Sequence, residues 1–466
     1  MYISLKDINQ YQLNSLVREL TLFETDYQTK EAIKIPYYYI NDSIIEIPRF
    51  FPGTILSSIG ILGNIVHKKS RIEGYPVNIN YKNNFTWRGD NYDFVKKGSD
   101  KDVIIIKRPP GKGKTIIGSG IITERKIKTL VLVNMTTLIK QWKDAILTVS
   151  DINSDLINEN KLFHSKQPAS IYISTIQSFT SKINSNGIEW VKQYIKNLGI
   201  GLVILDEVHL LVGPGAFTKV LFSLDTRYWV ALSATPFKEQ ERDKILYWWL
   251  GKNLIGYSDY DITPTISLIK YYSGIDGKSK KGIIDPYTGE PLKNYYYYIN
   301  YKRKFFRDRY FKVIIKQKEF LSLLLSICYK SLKAKRQILV ITHYNQHGVN
   351  IILEELSKHS VFKDKYKSFI GSDTDLKEIS KYPIIVTNYK KFSTGVNVPT
   401  IDTILMVTPL TRKYELEQAI GRALRLRKDK KKVLIFDIYD ESFSERTKKW
   451  LDTRMELYKE LKFDFY

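Results

Sequence analysis

The sequence predicts an α/β protein of two tandem parallel-sheet domains, preceded by a small N-terminal accessory domain. Three observations carry this expectation. The chain has 466 residues, too many for one hydrophobic core. Residues 81–255 and 305–466 each alternate short β-branched apolar runs with helical patterns, which is how a parallel sheet wound by helices reads. Residues 256–304 break that alternation and are expected to be a linker with a surface insertion.

Residues 1–80 come first. Tyr37-Tyr-Tyr-Ile40, Ile44-Ile-Glu-Ile47 and Phe50-Phe51 are broken by Pro36, Pro48, Pro52 and Gly53. They predict short strands in a small domain, for which a cap over the first parallel-sheet domain is one reading.

The first parallel-sheet domain carries the strongest local signal. Val103-Ile-Ile-Ile106 predicts a buried strand, and Ile116 to Ile122 opens a helix. Between them lies Arg108-Pro-Pro-Gly-Lys-Gly-Lys-Thr115. A glycine loop between strand and helix is the context a phosphate cradle requires. Gly111, Lys112 and Gly113 would bring backbone N–H groups to the β- and γ-phosphates of ATP. Lys114 would neutralise those phosphates, and Thr115 would hold Mg²⁺. Arg108 stands where the usual pattern has its first glycine.

Leu202-Val-Ile-Leu205 predicts a second buried strand, ending in Asp206 and Glu207. Carboxylates there face the crevice where open α/β sheets bind ligands. Asp206 suits Mg²⁺, and Glu207 suits orienting and deprotonating the attacking water. His209 is open to two readings, a relay toward a bound strand or a packed imidazole. Trp229-Val-Ala-Leu232 leads into Ser233-Ala-Thr235, whose hydroxyls can couple the two functions.

In the second domain, Glu415 to Leu426 predicts a helix bearing Gln418, Gly421, Arg422 and Arg425. The i, i+3 spacing puts both arginines on one face. They suit either the charge on a transferring γ-phosphoryl group or a plain basic surface.

As an ordered set these motifs resemble those of the superfamily 2 helicases. Thr129-Leu-Val-Leu-Val133 with Leu138-Ile-Lys-Gln-Trp142 resembles motif Ia, and Ile173 to Ser178 resembles motif Ib. Gln337 to Thr342 resembles motif IV, and Ser393-Thr-Gly-Val-Asn-Val-Pro399 resembles motif V. Trp87 through Asn91 is similar to an adenine-reading motif, with Asn91 in place of glutamine. The D-E-x-H box and the compact Gln-x-x-Gly-Arg-x-x-Arg motif look like the XPB/UvsW-type DNA helicases. The nearest likeness is to transcript-release helicases of poxviruses and related helicases of large DNA viruses.

The resemblance implies two RecA-like domains with ATP in the cleft, translocation on DNA and 3′-to-5′ unwinding. It adds Gly395 and Gln418 to the nucleotide site. It places Gln141, Thr175, Thr394, His209, Ser233 and Thr235 among the groups coupling nucleotide to nucleic acid. For residues 1–80 it adds a DNA-feeling module as the second reading. A polymerase is the partner that transcript release implies. RNA stays open as the substrate, because such motifs read phosphates.

Composition agrees with a nucleic-acid partner. Lys plus Arg number 73 and Asp plus Glu 49, a net charge of +24. A lysine-rich, AT-biased genome would leave the same mark. Tyr295 to Arg309 interleaves aromatics with cations, which fits base stacking or a basic helix whose aromatics pack inward. The one cysteine, Cys328, excludes internal disulfides and cysteine zinc clusters. It sits in an apolar run and is expected to be an inert buried thiol. No signal peptide or membrane span is indicated, so the expectation is a monomeric motor in a reducing compartment, host cytoplasm if the source is viral.

Overall fold

The computed structural model describes residues 1–25, 32–109, 111–164, 168–210, 217–234, 236, 240–257, 263–273, 283–284, 291–292, 307–370, 376–389, 391, 400–408, 416, 420, 432–441 and 444–466. The chain divides into two compact units, Met1–Ser258 and Asp259–Tyr466.

The first unit opens with strand β1 (Tyr2–Ser4), helix α1 (Gln10–Glu19), a hairpin of β2 (Thr21–Thr25) and β3 (Ala32–Pro36), then β4 (Tyr39–Ile40), β5 (Ile44–Glu46), helix α2 (Gly53–Ser58) and β6 (Val66–His67). Four of these strands form an antiparallel sheet in the order β4-β5-β1-β6. Ile3, Leu16 and Ile45 are buried in the same apolar cluster as Trp229 and Trp249 of the parallel-sheet region. Phe51 meets Trp248 edge to face at 4.8 Å.

A polar network also crosses this junction. Glu46 Oε1 accepts from Lys69 Nζ at 2.8 Å and from Lys192 Nζ at 2.5 Å, and Lys69 reaches Asp225 at 3.1 Å. Two ammonium groups out of water need such a carboxylate to be tolerable. The N-terminal sheet therefore packs as a cap on the first parallel sheet.

That sheet comprises β7 (Val103–Lys107), β8 (Thr129–Val133), β9 (Ile157–Glu159), β10 (Ile171–Thr175), β11 (Leu202–Asp206), β12 (Tyr228–Ser233) and β13 (Leu254–Gly256). Its seven strands are all parallel, in the order β13-β7-β12-β11-β8-β10-β9. Helices α3 (Asn91–Ser99), α4 (Lys114–Arg125), α5 (Thr137–Val149), α6 (Ile176–Asn186), α7 (Ile188–Leu198), α8 (Phe217–Phe222) and α9 (Gln240–Leu250) connect them. Strands β7 and β8 are continuous apolar runs because a strand covered on both faces has no wet side. β12 lies between β7 and β11, with Ser233 paired to Lys107 and Leu232 to Asp206. The carboxyl ends of three strands from distant parts of the sequence thus meet at one edge.

The second unit holds β14 (Thr265–Tyr271), a short hairpin of β15 (Ile283–Ile284) and β16 (Pro291–Leu292), α10 (Arg307–Ile314), α11 (Lys318–Lys333), β17 (Ile338–Thr342), α12 (Asn350–Ser357), β18 (Tyr366–Phe369), α13 (Leu376–Ile379), β19 (Ile384–Asn388), β20 (Thr403–Met406), β21 (Leu434–Asp440), α14 (Ser444–Glu460) and β22 (Asp464–Phe465). Seven of its strands form another all-parallel sheet, β18-β19-β17-β20-β21-β14-β22.

Here the structure corrects the sequence reading. Residues 256–304 are not wholly linker and insertion. Thr265–Tyr271 pairs along seven residues with β21, so the second sheet takes a strand from before the expected boundary at 305. The strand is distant in sequence from its neighbours, and an isolated seven-residue run carries no mark of the pairing that stabilises it. The aromatic-basic stretch 295–306 lies outside the described residues. Cys328 is buried on α11, and burial pushes its thiol up to about 12. Such a thiol is protonated at neutral pH and inert, as its apolar surroundings led us to expect. Among the described residues no helix is long and apolar enough to cross a membrane.

Candidate nucleotide site at the carboxyl edge of the first sheet

The phosphate loop leaves β7 at Lys107 and enters α4 at Lys114. Gly111 has φ +85° and Gly113 +77°, the left-handed region that favours glycine. At Gly113 a side chain is also excluded by space: its Cβ would lie 2.7 Å from Asn91 Nδ2. The loop is therefore a close-fitted backbone arch at a helix N-terminus, a ready site for phosphate. Lys114 Nζ donates to the carbonyl oxygen of Arg108 at 3.1 Å, so its ammonium is folded over the loop itself.

Arg108 explains the missing first glycine. Its guanidinium is buried and donates to Asp90 Oδ1 and Asn91 Oδ1, both at 2.9 Å, and to the Lys112 carbonyl at 3.2 Å. The rings of Phe94 and Tyr257 sit 4.3 and 4.6 Å from its carbon centre. An arginine has five donors and no acceptor, so it can tie several oxygens together at once. Here it staples the loop to the start of α3. It also fixes the Asn91 amide, whose oxygen must face the guanidinium. Asn91 is thus a buried part of the loop's support.

Asp206 ends β11 and is buried. Its Oδ2 accepts from the Trp142 indole at 2.9 Å. Burial and the neighbouring Glu207 charge raise its pKa to about 6, against the lowering effects of the Trp142 bond and Lys114. Glu207 has φ +51°, a conformation that costs a non-glycine residue about 1–3 kcal/mol. The turn swings its carboxylate toward the neighbouring strand end. Its Oε2 lies 3.5 Å from both His209 Nδ1 and Ser233 Oγ, and those two groups are 2.9 Å apart. Ser233 is fully buried. Glu207, His209 and Ser233 therefore form one contact triangle at the strand ends.

Two sequence expectations land elsewhere. The Thr175 hydroxyl accepts from the Ser178 backbone N–H and touches Ser178 Oγ at 2.8 Å, capping α6. It is buried, so its side chain is committed to the fold and not presented to a strand. Gln141 places its amide nitrogen 3.5 Å from Thr115 Oγ1, beside the phosphate loop. Thr235, Thr394, Gly395, Gln418, Arg422 and Arg425 lie outside the described residues. Sequence reasoning passed over Trp142 and Asp90. Trp142 had a visible signal, an indole beside Gln141 in a helix that packs on the site.

The residues present fit a nucleotide phosphate with Mg²⁺. The left-handed glycine arch and the ammonium over it suit phosphate oxygens, while the threonine hydroxyl and the buried carboxylate are oxygens of the kind Mg²⁺ takes alongside phosphate and water.

The likeness to known proteins agrees. Residues 75–238 match the family described as "Type III restriction enzyme, res subunit". A putative ATP-dependent RNA helicase of Acanthamoeba polyphaga mimivirus is 24% identical over 433 residues, 89% of this chain and 75% of that protein. The DNA 3′-5′ helicase XPB of Kineococcus radiotolerans is 29% identical over 157 residues, 34% of this chain and only 26% of that protein. Among solved structures, S. cerevisiae Dbp5 bound to RNA and ADP BeF3 aligns with TM-score 0.50 at 11% identity, covering 78% of this chain and 85% of that one. That last likeness speaks to the fold alone, two RecA-like domains in tandem. With its site and its relatives together, the chain is similar to helicases of superfamily 2 type, and that likeness marks it as a nucleic-acid-dependent ATPase.

Proposed function

We propose that the protein is a DNA-dependent ATPase that tracks or unwinds DNA 3′ to 5′, using ATP with Mg²⁺ at the carboxyl edge of the first sheet. The observation that carries the nucleotide reading is the convergence of the Gly111–Thr115 arch, Asp206 and the Glu207–His209–Ser233 triangle on one edge. Lys114 neutralises phosphate. Thr115 and Asp206 would hold Mg²⁺, which would supply charge neutralisation on the phosphate oxygens. Glu207 orients the attacking water and accepts its proton. Ser233 and His209 carry the state of that carboxylate toward the bound strand. For Gly395, Gln418, Arg422 and Arg425 the assignment to the nucleotide rests on the resemblance of their motifs alone, which implies that the arginines would counter charge on the γ-phosphoryl group. Thr235 and Thr394 contribute strand contacts. The net charge of +24 favours a polyanion, and the likeness to an XPB DNA helicase favours DNA.

One observation favours RNA instead. The relative covering 89% of the chain carries the name of an RNA helicase. ATP turnover measured side by side with single-stranded DNA, duplex DNA and RNA decides between them. DNA stimulation is expected. Stimulation by RNA with indifference to every DNA would overturn the proposal. Lys114→Ala protein serves as control, expected to hydrolyse nothing above background while still binding nucleic acid. Release of transcripts from a polymerase is the setting that fits the likeness to large-virus helicases.

A further inference from the structure

Helix α5 reaches the nucleotide site with two consecutive residues. Trp142 is wholly buried, and its indole N–H donates to Asp206 Oδ2 at 2.9 Å. Gln141 is exposed and places its amide nitrogen 3.5 Å from Thr115 Oγ1. Neighbouring side chains on a helix point about 100° apart, so two adjacent residues can bracket a site from different sides. The side chains they touch are the two assigned above to the cation.

The chemistry of the contact is specific. An indole is a donor only. It therefore binds the ionised oxygen of Asp206 and cannot compete for a cation. With Oδ2 held, the carboxylate torsion is restrained, and the lone pairs the carboxylate has left would be available to a metal or its water. The indole is itself held from behind. A Cβ on Gly118 of α4 would lie 2.5 Å from Trp142 Cη2, so the ring is pressed against the helix that begins at the phosphate loop. Apolar packing alone would be served by phenylalanine. A buried indole N–H without an acceptor is costly, so the acceptor is part of the design.

We infer that Trp142 is a positioning residue for the cation-binding carboxylate, with Gln141 as a weaker auxiliary on Thr115. This rests on the reading of Asp206 and Thr115 as Mg²⁺ ligands. It gives α5 a second duty. The segment that resembles a strand-contacting motif also grips a metal ligand, so a small tilt of α5 reaches the nucleotide through one hydrogen bond. Such outer partners of metal ligands are worth about 10- to 100-fold in metal affinity.

The test uses the full chain and a fluorescent ADP, with binding followed by anisotropy as Mg²⁺ is titrated and again in EDTA. Trp142→Phe is expected to raise the Mg²⁺ half-saturation by about 10- to 100-fold. ADP affinity in EDTA should stay unchanged, since no metal is involved there. Gln141→Leu should shift the same titration by a few-fold only, because a 3.5 Å contact is long for a hydrogen bond. Asp206→Asn is the reference and should lose the Mg²⁺-dependent gain altogether. If Asp206→Asn loses the gain while Trp142→Phe titrates like the parent, the inference is wrong and the cation assignment stands. If Asp206→Asn keeps the gain, the cation assignment itself falls. Should Trp142→Phe unfold, 3-benzothienylalanine at position 142 keeps the ring shape and replaces N–H by sulfur. The same titration then decides, with an unshifted curve overturning the inference.

Discussion

The two parallel sheets share an architecture and treat their buried carboxylates in opposite ways. In the second, Asp437 lies inside β21 and is fully buried. It accepts from Arg454 Nε at 2.7 Å and from the Tyr458 hydroxyl at 2.8 Å, both on α14. That carboxylate has its cation, and the pair pins a helix to a sheet. In the first, Asp206 is also buried, at 8% exposure against none for Asp437, but sits at a strand end. Its direct partners are an indole and a backbone N–H, and the nearby charge of Lys114 only partly offsets its burial. Burial leaves it short of positive charge, and its pKa rises accordingly. The lesson is that burial alone does not separate structure from chemistry. Asp437 is matched inside the fold, whereas Asp206, proposed above to hold Mg²⁺, is left to be matched by what binds.

The largest expected effect tests this contrast directly. Asp206→Asn should reduce ATP turnover to background while leaving the melting temperature unchanged or higher, because an incompletely compensated buried charge is removed. Asp437→Ala should do the reverse. It leaves Arg454 buried without its carboxylate and should cost about 3–5 kcal/mol in denaturant unfolding. Equal destabilisation by both substitutions would erase the distinction.

Arg425→Ala comes next and probes the second unit beyond its described residues. Turnover is expected to fall by about 10³-fold with ATP affinity much less affected, as for an arginine that counters transition-state charge. A variant that hydrolyses normally and only loses nucleic-acid affinity would return this segment to the reading of a basic surface.

Glu207→Gln is expected to lower turnover by about 10²- to 10⁴-fold, because the amide keeps the shape but cannot take a proton. Nucleotide affinity should persist, giving a stalled complex that holds nucleic acid more tightly. Gel-shift assays with ATP and Mg²⁺ would reveal it. Turnover within a few-fold of the parent would remove Glu207 from the role of base.

The smallest effect belongs to Ser233→Ala. The hydroxyl bonds His209 at 2.9 Å, and its loss should cost about 1 kcal/mol of stability. ATP turnover without nucleic acid should hardly move, whereas its stimulation by nucleic acid should fall. Full stimulation in the variant would show that the triangle packs without coupling.

The sequence by itself determined the parts that depend on local chemistry. The glycine loop after an apolar strand, the acids after a second and the hydroxyl after a third were legible because each motif carries its own strand and turn signals. Two parallel sheets followed from the alternation of strands and helices. What only the tertiary structure decided depends on contacts far apart in the chain. It made Arg108 a staple between loop and α3, turned the Thr175 hydroxyl to a helix cap, and set Gln141 beside Thr115. It drew Thr265–Tyr271 into the second sheet and fastened residues 1–80 to the first through Glu46. In each case the side chain's partner is distant in sequence or its rotamer is chosen by neighbours. A linear pattern names the donor, and folding alone names the acceptor.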